Sequence, residues 1–167
     1  NKILFNIKSL LFLFLCAVLI YLSFSLFILW NLILSSNNEI KLYLLLVLSI
    51  CISTDIGGYL FGKIFKGRKL TKISPNKTYS GLIGSYLLSL CSSYFIFRYF
   101  FETNIIIITS ITISSISQIG DLFFSFLKRK SKLKDTGNIL PGHGGILDRL
   151  DGLFFALPFS FILIKLL

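Results

Sequence analysis

The sequence predicts an all-α fold, a polytopic membrane helix bundle with about five transmembrane helices. Apolar residues make up 54% of the 167-residue chain and charged residues only 14%, a balance that is not typical of soluble domains. A bilayer core about 30 Å thick takes roughly 20 apolar residues of helix to cross, and five apolar runs approach or exceed that length. The predicted spans are residues 9–34, 41–62, 80–101, 104–127 and 152–167.

The two outer spans have features of their own. Span 9–34 is too long for a signal-peptide h-region and no A-x-A-like cleavage site follows it, so we predict a retained helix. Pro158 is expected to bend the last span, because proline removes a helix hydrogen bond. Asn1 opens the chain without a methionine and Leu167 closes it inside an apolar run. We therefore expect a piece of a longer membrane protein with further N-terminal helices.

Basic residues concentrate in alternate connections between the spans. Loops 63–79 and 128–151 each contain six lysines and arginines, whereas segments 35–39 and 102–104 contain two glutamates and no basic residue. Because cytoplasmic loops carry the excess of basic residues, both long loops are predicted to be cytoplasmic. The sequence thus predicts an integral membrane protein, which we expect in a bacterial-type inner membrane with its polar loops facing the cytoplasm.

Composition and spacing also exclude several kinds of site. The net charge of +10 is distributed beside apolar segments, without a soluble basic domain with interleaved aromatics, so nucleic acid is not an expected partner. Anionic lipid headgroups or phosphates are the expected partners. Cys16, Cys51 and Cys91 lie far apart in apolar segments without a CxxC pattern, which argues against a disulfide framework or a zinc site. Walker A and GxGxxG patterns are also absent.

Two aspartates lie inside predicted spans, where a carboxylate costs about 2.5–3.5 kcal/mol near the bilayer centre. Asp55 stands eight residues before Lys63 and Asp121 seven before Lys128. At 1.5 Å per residue both lie about 10–12 Å below the cytoplasmic helix end. They either pair structurally with a Lys or Arg of a neighbouring helix or line a polar cavity.

A second group of polar residues precedes the last span. Asp148 and Asp151 are three residues apart, so they project from one helix face, although carboxylates at a helix start also simply suit the dipole. The turn PGHGG at 141–145 has three glycines, whose N–H groups can approach an anion closely. His143 within it is either a substrate contact or an ordinary turn residue.

Several carboxylates without a cysteine or histidine cluster indicate a hard cation. Mg²⁺ prefers oxygen ligands, uses one or two carboxylates and completes its shell with water and substrate phosphates. The basic run at 128–134 could neutralise phosphate charge, or serve only as an anchor on anionic lipid. Together these features favour phosphoryl or nucleotidyl transfer.

The stretch SFLKRKSKLKDTGNILPGHGGILDRLD at 125–151 resembles the signature of the phosphatidate cytidylyltransferase family, and Gly120 with Asp121 matches the "GD" pair upstream of it. A second block at 54–81 is similar to an aspartate-containing helix followed by an SPxKT loop, with Ser80 where many members carry an acidic or amide side chain. The resemblance covers about residues 40–167. It implies a division into residues 1–40, an N-terminal transmembrane helix with a non-cytoplasmic turn, and residues 41–167, a catalytic membrane domain.

The resemblance implies conversion of CTP and phosphatidate to CDP-diacylglycerol and pyrophosphate in phospholipid biosynthesis by an Mg²⁺-dependent membrane enzyme. CTP, phosphatidate and membrane lipid are then the expected partners, K⁺ is a candidate second cation, and a homodimer is expected. The implied metal ligands are Asp121, Asp148 and Asp151. The implied catalytic residues are these three with Lys128 and Arg129. The implied substrate-binding residues are Asp55, Lys77, Lys134, Asp135, His143, Gly144, Gly145 and Arg149.

Two other functions are compatible with the same residues. A CTP-dependent polyprenol or phytol kinase of related architecture would transfer the γ-phosphate instead of the nucleotide. A non-catalytic membrane subunit or transporter would use the intramembrane aspartates for packing or ion passage.

Overall fold

The computed structural model describes residues 2–71, 74, 77–130 and 147–166, with helix side chains described from residue 18 onward and, in the last helix, from residue 150. Over these ranges the chain forms helices joined by short connections, and its one extended pairing is an isolated bridge between Lys69 and Thr78. The helices are α1 (Lys2–Leu34), α2 (Asn38–Phe65), α3 (Tyr79–Phe97), α4 (Thr103–Lys130) and α5 (Leu147–Leu166). The predicted all-α fold is confirmed.

Among the residues the structure describes, three helices are long and apolar enough to cross a membrane: α2, α3 and α4. The described side chains of α1 begin at Val18, and Val18–Leu34 is an apolar helix segment of shorter length. The chain is therefore an integral membrane protein. The prediction that α1 and α5 also span stays a prediction.

The helix ends differ from the predicted span limits in both directions. Helix α3 ends at Phe97, four residues before the expected limit, because a turn folds Phe101 back so that its ring packs against those of Phe97 and Tyr43, with centroids 6.4 and 6.2 Å apart. Helix α5 begins at Leu147, five residues early. Aromatic packing thus ends α3 earlier than hydropathy predicts, and polar residues that are compatible with a helix let α5 begin earlier.

Side-chain caps fix the starts of α2 and α3. Asn37 accepts a hydrogen bond from the Glu39 amide at 2.9 Å, and Thr78 accepts one from the Gly81 amide at 3.1 Å. These bonds satisfy N–H groups that have no partner within the helix. At the other end of α2, Lys66 takes the left-handed conformation with φ of 43°, which ends the helix and starts the loop toward α3.

Glycines allow α2 and α3 to pack closely. A Cβ atom on Gly57 would lie 2.6 Å from the Gly84 carbonyl oxygen, and one on Gly81 would lie 2.6 Å from the Gly58 oxygen. Either distance is too short for a real carbon, so the helix backbones touch where only glycine fits. This contact fixes α3 against the aspartate-bearing half of α2.

Hydroxyl pairs connect α4 to the two preceding helices. Ser93 on α3 bonds Ser110 on α4 at 2.6 Å, and Thr54 on α2 donates to Ser114 on α4 at 3.0 Å. All four side chains are buried. In an apolar interior such paired hydroxyls set the rotation of one helix against another, because the alternative is an unsatisfied polar group. The pairs therefore orient α4 so that one face points into the bundle.

Pro158 lies within α5, and the helix continues past it to Leu166. Proline has no N–H to donate, so the carbonyl of Phe154, four residues earlier, loses its usual partner. Ser25 of α1 donates its hydroxyl to that carbonyl at 2.8 Å in a buried position. The Ser25 hydroxyl thus replaces the missing helix hydrogen bond, which explains how α5 tolerates a proline at position 158.

Candidate active site

A cavity of about 320 Å³ lies between α2, α3, α4 and the start of α5, and the loop between α2 and α3 closes part of it. Three carboxylates line it: Asp55 from α2, Asp121 from α4 and Asp151 from α5. Lys77 of the loop lines the same cavity. Residues 96 positions apart in the chain therefore share one polar chamber inside an apolar bundle.

Two glycines bring Asp121 and Asp151 to the same wall. Gly120 precedes Asp121 and Gly152 follows Asp151. A Cβ atom on Gly120 would lie 2.7 Å from Phe155 Cβ, and one on Gly152 would collide with the Ser117 hydroxyl. Helices α4 and α5 therefore pack closely beside the two carboxylates, and the absence of side chains at these glycines makes that approach possible.

Each of these two carboxylates has a lysine partner. Lys77 forms an ion pair with Asp121, and both side chains are partly exposed to the cavity. Lys128 Nζ lies 3.8 Å from Asp151 Oδ2, with the two side chains only 15% and 9% exposed. Asp151 also accepts a hydrogen bond from the Gly152 amide at 2.8 Å. Charges this deeply placed need such partners, because their desolvation is costly.

The loop from α2 to α3 is folded back on itself, which positions Lys77. Leu70 N donates to the Lys77 carbonyl at 2.7 Å, and Tyr79 N donates to the Arg68 carbonyl at 3.0 Å. A side-chain hydrogen bond also closes the loop: the Ser80 hydroxyl accepts from the Gly67 amide at 3.3 Å. Ser80 therefore connects the two ends of the loop. Backbone hydrogen bonds fix the position of the Lys77 main chain beside the cavity.

The donor set of the cavity suits a hard cation. Among the described residues no group of three or more His, Cys, Asp or Glu side chains is close enough to hold a metal together. The carboxylates of Asp121 and Asp151 and the amide of Gln118 nevertheless face one chamber. One or two carboxylates are what Mg²⁺ takes from a protein when substrate phosphates and water supply the other oxygens. The residues present therefore fit Mg²⁺ on chemical grounds.

Part of the predicted site lies outside the described residues: Lys134, Asp135, His143, Gly144 and Gly145. Asp148 and Arg149 lie in the first turn of α5, but their side chains are also outside the description. Arg129 is exposed on the last turn of α4 and is not among the described residues that line the cavity. The structure thus brings together Asp55, Asp121, Asp151 and Lys77, with Lys128 beside them through its pairing with Asp151.

Sequence reasoning overlooked several polar residues of the cavity, among them Thr54, Tyr59 and Gln118. Tyr59 stands four residues after Asp55, and Gln118 three residues before Asp121. Positions three and four apart share a helix face. The same helical spacing would have identified both residues, had it been applied outward from each intramembrane aspartate.

Comparison with known proteins connects this arrangement to one family. The model of the Cytidylyltransferase family matches residues 4–167. Three curated relatives named phosphatidate cytidylyltransferase are similar to the chain: that of Rickettsia bellii is 42% identical over 144 residues, 79% of this chain; that of Bacillus subtilis 44% over 119 residues, 68% of the chain; and that of Staphylococcus aureus strain COL 45% over 129 residues, 73% of the chain.

The matched region covers 62% of the Rickettsia bellii relative, 44% of the Bacillus subtilis relative and 48% of the Staphylococcus aureus relative. The chain thus spans between about two fifths and three fifths of their lengths. The family match reaches residue 4, whereas the motifs alone carried the resemblance only to about residue 40. From its first helix to its last, the chain belongs to the cytidylyltransferase family.

Proposed function

We propose that the protein is a phosphatidate cytidylyltransferase, which joins CTP and phosphatidate to give CDP-diacylglycerol and pyrophosphate. The observation that carries this proposal is the convergence of Asp55, Asp121 and Asp151 with Lys77 on one cavity inside a membrane bundle. The names of the relatives, which share 42–45% of their residues with this chain over the matched regions, support the same reaction.

The chemistry requires two anions to meet. An oxygen of the phosphatidate phosphate attacks the α-phosphorus of CTP, a new P–O bond forms, and the bond from the α-phosphorus to the bridging oxygen of the β-phosphate breaks to release pyrophosphate. Such transfers depend mainly on positioning and on neutralising the phosphate oxygens. Lys77 and Lys128 supply positive charge at the two carboxylate positions.

Both lysines are held by carboxylates, and this pairing suits a phosphate site. A lysine paired with Asp121 or Asp151 has a partner for its ammonium within the apolar bundle and can turn toward a phosphate that approaches it. We infer that Lys77 binds the CTP phosphates, because it belongs to a water-facing loop. Lys128 lies beside the more buried Asp151, and we assign it to the phosphate that receives the nucleotide.

The proposal includes Mg²⁺, which would be held by Asp121 and Asp151 together with the sequence-predicted ligand Asp148. When bound, it would neutralise phosphate oxygens in the way that metal-dependent phosphoryl and nucleotidyl transferases require. The carboxylates themselves would orient the lysines and set the spacing between the two phosphates.

The proposed site faces the cytoplasm in a bacterial-type inner membrane. One substrate is soluble and the other has two acyl chains that remain in the leaflet, so the reaction must occur near an interface. The basic loop from α2 to α3 forms one wall of the cavity through Leu70, Ser74 and Lys77. A cytoplasmic position for that loop follows from its excess of basic residues and gives CTP direct access from water.

Two labels distinguish this function from its rivals. The purified chain is incubated in mixed micelles that contain phosphatidate and a polyprenol, with either α-³²P-CTP or γ-³²P-CTP, and label is measured in each lipid and in pyrophosphate. We expect the α-label in lipid and the γ-label in pyrophosphate. Transfer of the γ-label to a lipid alcohol would indicate a kinase, and absence of both transfers would contradict an enzymatic role.

A further inference from the structure

One side of α2 faces away from the bundle and carries a stripe of exposed apolar side chains. Ile52, Ile56, Leu60 and Ile64 are all exposed, and they recur at four-residue intervals, which places them on one side of a helix. In a helix long and apolar enough to cross a membrane, such a stripe is the surface expected to contact acyl chains. The stripe therefore marks the lipid-facing side of α2.

Tyr59 stands at the boundary between this stripe and the cavity. Its side chain lines the cavity, yet 64% of its surface is exposed. Around the helix, Tyr59 lies between Asp55, which faces the cavity, and Ile56, which belongs to the stripe, because each position advances by about 100°. Because Tyr59 lines the cavity and adjoins the exposed stripe, we place a side opening of the cavity at Tyr59.

A lysine stands over this opening. Lys63 lies one turn beyond Tyr59, at the predicted cytoplasmic end of α2, and its Nζ donates a hydrogen bond to the Tyr59 hydroxyl at 3.3 Å. The same Nζ is 5.5 Å from the centre of the Tyr59 ring. Lys63 is two turns, or about 12 Å, along α2 from Asp55. Its ammonium therefore sits at headgroup height while the stripe below it faces acyl chains.

We propose that Lys63 and Tyr59 form the site that captures the phosphate of the lipid substrate as it moves sideways from the leaflet into the cavity. The ammonium of Lys63 and the hydroxyl of Tyr59 donate hydrogen bonds to the phosphate monoester, and the acyl chains lie along the stripe of α2. This inference rests on the proposed function, since it names the route of its lipid substrate. Lys63 and Tyr59 are positioning residues for the lipid, because the reacting groups belong to the deeper cavity.

The geometry favours a phosphomonoester over a zwitterionic headgroup. A monoester phosphate carries up to two negative charges and exposes three oxygens, so it can accept from Lys63 and from Tyr59 at once. In phosphatidylcholine one of those oxygens is esterified and a bulky cation follows it. The pair can therefore select the substrate lipid at the opening, before it reaches the paired lysines of the cavity.

The test compares two lysines that carry the same charge. Lys69 is exposed on the loop, where its backbone forms the bridge to Thr78, and it is not among the described residues lining the cavity. The variants Lys63→Gln and Lys69→Gln change the net charge equally, so general attraction to an anionic surface, about 1 kcal/mol per basic residue, falls equally in both. A difference between them reports a specific site.

Binding is measured without CTP, as the phosphatidate mole fraction that half-saturates the purified chain in phosphatidylcholine nanodiscs. Lys63→Gln is expected to raise this fraction about tenfold, as loss of a charge-assisted hydrogen bond should, and Lys69→Gln less than twofold. Tyr59→Phe keeps the ring and removes the hydroxyl, and an increase of about threefold is expected. In turnover assays the KM for phosphatidate should rise similarly while the KM for CTP stays within twofold.

Equal effects of Lys63→Gln and Lys69→Gln on binding, or a change confined to the KM for CTP, would overturn the capture site. Tyr59→Phe is a second variant that should fold normally, because it removes only one oxygen atom from an exposed ring. If Tyr59→Phe and Lys63→Gln both bind phosphatidate as the wild type does, the pair has no role in capture. Phosphatidate binding that depends on Lys63 without any nucleotide transfer would instead contradict the proposed function and retain the site.

Discussion

The contact between α4 and α5 offers a sharp prediction, because a single methyl group can separate the two carboxylates. In Gly152→Ala the new Cβ would collide with the Ser117 hydroxyl and lie 3.1 Å from the Ser117 carbonyl oxygen, where ordinary contacts fall between 3.4 and 4 Å. If the buried Ser117 hydroxyl keeps its position, relief of the collision to an ordinary contact of 3.4 Å moves α5 by about 1 Å. Asp151, the adjacent residue, moves with it and away from Asp121.

The expected changes in stability and in turnover differ in size, so turnover is the informative measurement. Overpacking costs about 1–3 kcal/mol, but alanine in place of a helical glycine returns about 1 kcal/mol of helix propensity, so the variant should remain folded. A displacement of about 1 Å in a catalytic constellation can reduce turnover about 100-fold. We therefore expect kcat for transfer of α-label from CTP to lipid to fall about 100-fold, with little change in thermal stability.

Ser117→Ala supplies the control and the rescue. Removal of the hydroxyl eliminates the worst contact and leaves the carbonyl oxygen at 3.1 Å and the Ser117 Cβ at 3.5 Å. Ser117→Ala alone should stay within threefold of wild type, and the double variant should recover at least tenfold over Gly152→Ala, the signature of coupled neighbours. Full activity of Gly152→Ala, or a double variant no better than the single one, would refute the steric argument.

Two further predictions concern stability. Ser25→Ala removes the donor that satisfies the Phe154 carbonyl, so the free energy of unfolding should fall by about 1–2 kcal/mol. Ser23→Ala is the control, because among the described residues the Ser23 hydroxyl donates within α1, to the Ile20 carbonyl. Equal melting temperatures of the two variants would contradict the role of the bond. Asn37→Ala removes the cap of α2 and should cost about 1 kcal/mol, whereas the same change at the next residue, Asn38→Ala, should not, and an equal loss in both would argue against capping.

The bundle could be predicted from the sequence because each helix is a long apolar run bounded by polar residues. The helix ends could not be predicted equally well. The end of α3 depends on the ring of Phe101, which packs on Phe97 and Tyr43, and a contact between α2 and the α3–α4 connection is not visible in a local pattern. At α5, hydropathy alone placed the span from residue 152, whereas the acidic residues before it, which suit a helix start, belong to the first turns of the helix.

The site shows the same division between local and non-local information. Depth along a helix follows from residue spacing, so Asp55 and Asp121 could be predicted to lie at similar depth. Their common cavity depends on rotation of the helices, which the hydroxyl pairs and glycine contacts determine. The pairing of Lys77 with Asp121 depends on how the loop folds back, and neither residue's local sequence contains that information.

Tyr59 illustrates a further limit. A tyrosine near the end of a membrane helix is typical of the aromatic belt at the interface, and its spacing of four residues from Asp55 indicates the cavity wall but not the exposed side of α2. Its role at the opening becomes visible only because the structure places it on both the cavity wall and the exposed side of α2. Residues on such boundaries are difficult to predict, because each of their two environments gives a sufficient explanation.

The most direct test of the account measures whether the acidic cavity is where CTP and lipid react. Asp121→Asn keeps the size of the side chain and removes the charge that pairs with Lys77, and Glu39→Gln makes the same change at an exposed carboxylate in the first turn of α2. We predict that Asp121→Asn loses about 100- to 1,000-fold in transfer of α-label to phosphatidate, the effect of removing one electrostatic catalytic element, while Glu39→Gln keeps wild-type activity and both remain folded. Wild-type transfer by folded Asp121→Asn would show that the reaction does not take place in this cavity.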